Sequence, residues 1–132
     1  MAVPRPGRRP GGSRMNAFLL GSAVLASLAG LCLWARAVPT RAWGDGAGSA
    51  SQRRGTLAAV CLVLALQGMS AGMAAGAAAA AALVPAAWMV AGWGLTLAMN
   101  QWPEHSLRWA RWLGTAGLLG CTSGLAVRAI AY

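Results

Sequence analysis

Lysine is absent from this 132-residue chain, and the only acidic residues are Asp45 and Glu104. There is thus no pair of neighbouring carboxylates for general acid–base work. His105 is the only histidine, and the sequence holds no Ser-His-Asp set and no phosphate-binding loop, so no enzyme machinery and no cofactor are expected. A haem between helices needs one or two strong axial ligands, and a single histidine beside Arg108 is a poor start for one. The cysteines, Cys32, Cys61 and Cys121, form no CxxC pair and sit in three different apolar segments. They read as small hydrophobic filler.

The longest absence is of charge itself. From Gly55 to Pro103 no side chain is ionised, and charged residues make up 10% of the chain against about 25% in globular domains. A bilayer core of about 30 Å is crossed by about 20 helical residues, so this run holds two crossings back to back. A soluble domain of this length has no way to hide so much continuous apolar surface. The expectation is an all-α integral membrane protein in contact with the lipid bilayer.

What is present agrees. The positive residues are all arginines, giving a net charge of +9. They stand in short runs at the edges of apolar segments, as membrane topology requires. This placement argues against nucleic acid as a partner. Alanine runs unbroken from Ala77 to Ala82, where helix propensity is high but insertion depends on the flanking Leu, Val, Met and Trp.

Residues 1–14 are rich in Pro, Gly and Arg and are expected to be disordered. Met15 is an alternative start. The first span covers about 17–35. A signal peptide is the rival reading, but the apolar stretch exceeds the about 7–15 residues of such segments. The lipoprotein pattern fails too, because Leu31 rather than a small residue precedes Cys32. Residues 36–55 read as a polar loop with Trp43 at the interface. The second and third spans cover about 56–74 and 78–99, with a tight connection near Gly72–Gly76. Pro85 falls inside the third span, where neighbouring helices make a kink tolerable.

Residues 100–112 are amphipathic. Trp102, Trp109 and Trp112 with Arg108 and Arg111 form an expected aromatic belt with snorkelling cations. A fourth span covers about 113–130, with Arg128 reaching to the far surface. The result is a bundle of four transmembrane helices, or three if the last segment lies in the interface.

Orientation is balanced. Arg5, Arg8, Arg9, Arg14 and Arg128 share one side, and Arg36, Arg41, Arg53, Arg54, Arg108 and Arg111 the other. Five against six gives the positive-inside rule nothing to act on. With a start at Met15 the count becomes one against six. The large loops would then face the cytoplasm and both termini the outside.

Gly68, Gly72 and Gly76 recur every fourth residue, as do Ser22, Ala26 and Gly30, and Gly120 and Gly124. Such spacing lines one helix face and allows close approach. We expect packing within the bundle, with a membrane-protein partner or a second copy as the alternative occupant. Gln67, the one amide deep in an apolar run, is expected to hydrogen-bond across helices. Met69 and Met73, with Met89 and Met99, raise thioether ligation of Cu(I), but ordinary packing is the simpler reading and no metal is expected. Small four-span drug exporters need a carboxylate in the first helix, and residues 17–35 contain none.

The span from Met15, the loop ending in Arg41-Ala42-Trp43-Gly44, and the close hairpin after Arg53-Arg54 carrying Trp88 and Trp93 form a pattern over residues 15–103. In this pattern the chain resembles a family of small, uncharacterised bacterial inner-membrane proteins encoded with siderophore and iron-uptake genes. It departs from the family in lacking a His-bearing stretch at Arg36-Ala37-Val38-Pro39 and in having a fourth span. The resemblance implies an accessory role in iron acquisition and assigns chemistry to no residue. The sequence therefore points to a non-catalytic accessory or scaffold subunit of an inner-membrane assembly. A small oligomeric transporter or channel, and a redox subunit of a membrane complex, are the alternatives.

Overall fold

The computed structural model describes residues 10–37 and 49–131. They form four helices, α1 Pro10–Ala37, α2 Ala50–Ala75, α3 Ala77–Gln101 and α4 Pro103–Ile130. The remaining tail, and the loop with Trp43, lie outside the described residues.

Each helix starts or stops for a local reason. Proline suits a first helical position because the N–H it lacks would have no partner there. Pro10 opens α1 in this way, so residues 10–14 are helical, a correction to the disorder expected for them. Helix α2 also begins earlier than expected, at Ala50. Ser49 Oγ accepts from the Gln52 N–H at 3.2 Å while Gln52 Oε1 accepts from the Ser49 N–H at 3.2 Å. This reciprocal cap satisfies two backbone donors that would otherwise lack partners.

One residue, Gly76, joins α2 to α3. Its φ of 92° and ψ of 160° fall in a region open essentially to glycine alone. Its N–H donates to Gly72 O at 2.8 Å and its carbonyl accepts from Ala80 N at 3.0 Å, so hydrogen bonding runs through the corner. Trp102 alone joins α3 to α4. It precedes Pro103, and a residue before proline is pushed out of the helical region; its φ is −140°. The amphipathic stretch expected at 100–112 is therefore divided at this corner, and most of it forms the first turns of α4. Pro85 lies inside α3 without ending it.

All four helices are long and apolar enough to cross a bilayer, α4 included, as the four-span reading requires. Successive helices run in opposite directions. The start of α1, the Gly76 corner and the end of α4 share one end of the bundle. The end of α1, the start of α2 and the Trp102 corner share the other.

Helix α1 is the centre, packed mainly against α4 and α2, and α3 is outermost. The most apolar window of α1 is 39% buried and that of α3 only 17%. Leu62, Met89, Val90, Trp93 and Leu119 point outward. In water this surface would drive aggregation; in lipid it is matched to its solvent. Buried residues are mostly small. One cluster joins Ala23, Ala26 and Cys121, and a second joins Cys32, Leu95 and Ala110. Lipid tails are as apolar as leucine, so close van der Waals contact and interhelical hydrogen bonds must hold such helices together.

Candidate helix-packing site

A polar clasp sits at mid-depth. Gln67 of α2 is fully buried. Its Nε2 donates to the Ala23 carbonyl at 2.7 Å and to Ser27 Oγ at 2.8 Å, both on α1. Its Oε1 accepts from Trp88 Nε1 of α3 at 2.8 Å. One amide thus ties three helices, with both donors and the acceptor oxygen used. An amide left unpaired among apolar neighbours would cost several kcal/mol, so its partners are fixed by necessity.

The tryptophan reaches Gln67 because Gly30 makes room. A Cβ at Gly30 would collide with Trp88 Cζ2, and would meet Trp88 Cη2 at 2.7 Å and Val63 Cγ1 at 3.3 Å. The stripe of Ser22, Ala26 and Gly30 is therefore split. Ser22 and Ala26 face α4, and Gly30 receives the indole.

The seam between α1 and α4 rests on four glycines. A Cβ on Gly114 would strike the Ala29 backbone, and one on Gly117 the Ala26 backbone. At Gly120 it would meet Ser22 and Phe18, and at Gly124 it would come within 2.6 Å of Leu19 Cδ2. Gly120 and Gly124 came from the four-residue spacing. Gly114 and Gly117 escaped it because they are three residues apart, yet spacings of three and four alternate on one helical face. Ser27 and Trp88 were missed as well. A buried indole N–H needs an acceptor, and Gln67 was the only amide at that depth, so the pair was discoverable.

Gly68 and Gly72 do otherwise. A Cβ on either meets nothing within 4 Å, so they face away from the bundle. Both are half-buried, and the close approach expected of them within the bundle has no contact in that direction. Gly76 is a corner and not part of a packing face.

Ser70 is fully buried beside the Cys121 thiol, between α2 and α4, and its hydroxyl lacks a well-formed hydrogen bond. Cys32 is buried and Cys61 exposed. Met69, Met73 and Met89 point outward, while Met99 packs on the cluster around Cys32. Among the described residues no three His, Cys, Asp or Glu side chains come together.

The two ends differ. Arg53 and Arg54, exposed at the start of α2, share an end with Arg108 and Arg111, exposed near the start of α4. Trp102, Trp109 and Trp112 are exposed at that same end. Trp102, Trp109 and His105 line an apolar groove of about 500 Å³ between α3 and α4. Arg108, Arg111 and Trp112 line a second hollow with Glu104. At the opposite end Arg128 Nη1 donates to Asn16 Oδ1 at 2.9 Å, closing α4 on α1.

Four antiparallel apolar helices, joined by one amide and one glycine seam, define the class: a multi-pass membrane protein built as a helical bundle. No protein-family model, no curated protein and no solved structure matches the chain.

Proposed function

We propose that this chain is a non-catalytic accessory or scaffold subunit of a bacterial inner-membrane assembly. The observation that carries the reading is the edge of α2 where Gly68 and Gly72 leave open space that no other helix of the bundle fills. Glycine in a helix interior costs about 1 kcal/mol relative to alanine. Within the bundle these two glycines return nothing for that cost, whereas against a neighbouring helix they would allow close backbone approach. The clasp at Gln67 holds α2 rigidly behind this edge. Iron or siderophore uptake is the process we assign to the assembly, supported by the resemblance over residues 15–103.

Copurification of the full chain in mild detergent tests the reading. A stoichiometric membrane partner, lost on Gly72→Leu or Gly68→Leu while thermal stability is not lowered, is the expected result. A monomer without a partner, indistinguishable from both variants, would overturn it. A pure homo-oligomer that moves solute in vesicles would also overturn it, in favour of the transporter. Slower growth of a deletion strain under iron limitation alone is the expected mark of the process.

A further inference from the structure

Along the α1/α4 seam two adjoining hollows, of about 460 and 850 Å³, share Phe18 and Ser123 and so form one trough. We propose that this trough holds one anionic phospholipid, its phosphate at Arg14 and one acyl chain lying between the helices.

Size supports a lipid chain. The lining runs on α1 from Arg14 to Leu25 and on α4, in the opposite direction, from Val127 to Ala116. At 1.5 Å per residue each run is about 16 Å long, close to one leaflet of a core about 30 Å thick. The trough therefore begins at headgroup level and ends near the midplane, as an acyl chain does. Its cause is in the sequence: the α4 glycines draw the helix axes together, and small Ser22, Ala116 and Ala126 leave the flank of the contact unfilled.

Charge supports the headgroup. Arg14 is exposed at the mouth and makes no ion pair or hydrogen bond among the described residues. The other described cation at this end, Arg128, is engaged by Asn16. No acid among the described residues lies here, since Glu104 is at the far end of α4. A guanidinium matches a phosphodiester bidentately. With no acidic side chain among the described residues here to take an ammonium group, a net anionic headgroup fits better than a zwitterionic one.

The test is native mass spectrometry of the delipidated full chain, titrated with phosphatidylglycerol or phosphatidylcholine. Wild type takes up one phosphatidylglycerol ahead of any phosphatidylcholine. Arg14→Gln weakens that uptake about tenfold or more, the loss of one charge-assisted contact. Ala126→Leu, which fills the trough without touching the headgroup site, abolishes the single-lipid species. Arg54→Gln, at the opposite end, leaves it unchanged, and circular dichroism shows all variants helical. Equal affinity for the two lipids, or equal loss on Arg14→Gln and Arg54→Gln, would mean non-specific annular lipid and would overturn the proposal. The trough is on a different face from Gly68 and Gly72, so failure here leaves the assembly reading standing.

Discussion

Trp88 Nε1 donates to Gln67 Oε1 at 2.8 Å across the α2/α3 hairpin. The two residues lie at similar distances from the Gly76 corner, so the hydrogen bond pins the hairpin at mid-depth. It also fixes Gln67 so that its amide nitrogen faces α1.

Replacing Gln67 by leucine keeps the volume but removes all three bonds and leaves Trp88 Nε1 unpaired. Stability falls by about 1–3 kcal/mol. Trp88→Phe falls less, and a double-mutant cycle gives a coupling of about 0.5–3 kcal/mol. Denaturant unfolding in micelles measures both, and strictly additive effects would contradict the clasp.

The glycines divide by what they touch. Gly114→Ala and Gly117→Ala press on the α1 backbone, which cannot rotate aside, and cost about 1–3 kcal/mol. Gly124→Ala costs less, since its nearest neighbour is the flexible end of Leu19. Gly68→Ala and Gly72→Ala gain up to about 1 kcal/mol from helix propensity. The same unfolding assay ranks them, and a Gly68→Ala variant as damaged as Gly117→Ala would refute the packing.

Gly76→Ala isolates backbone strain, because a Cβ there meets nothing. With φ at 92° the variant loses about 1–3 kcal/mol. A stable Gly76→Ala protein would show that the corner has another shape.

Thiol access separates the cysteines. Cys61 faces outward from the bundle and Cys32 and Cys121 are buried, so in the folded, detergent-solubilised protein a membrane-permeant maleimide adds to Cys61 before the other two, though slowly for a thiol in apolar surroundings. Cys61→Ser removes that first addition, and mass spectrometry counts the adducts.

Four spans place both termini on one side. Reporter fusions before Pro10 and after Ile130 therefore give the same compartment, and opposite compartments would mean an odd number of crossings.

The charge-free run from Gly55 to Pro103 was enough to read two crossings, and a lone amide inside it was enough to expect an interhelical hydrogen bond at Gln67. The edges of the helices were less legible, because the Ser49 cap and the Pro10 start are governed by single residues within polar stretches. The glycines were legible as small residues but not by the direction they face. Gly72 and Gly120 sit in equivalent four-residue patterns, yet one faces open space and the other Ser22.

The chain alone determined its solvent, the two crossings of the charge-free run and the corner near Gly76. These depend on hydropathy and on backbone preferences, which are local. Only the tertiary structure decided which helix is central, which glycines are covered, and that Trp88 rather than another side chain completes the bonding of Gln67. In lipid every face of these helices is apolar, so periodicity carries no inward direction. Contact geometry between distant residues has to supply it.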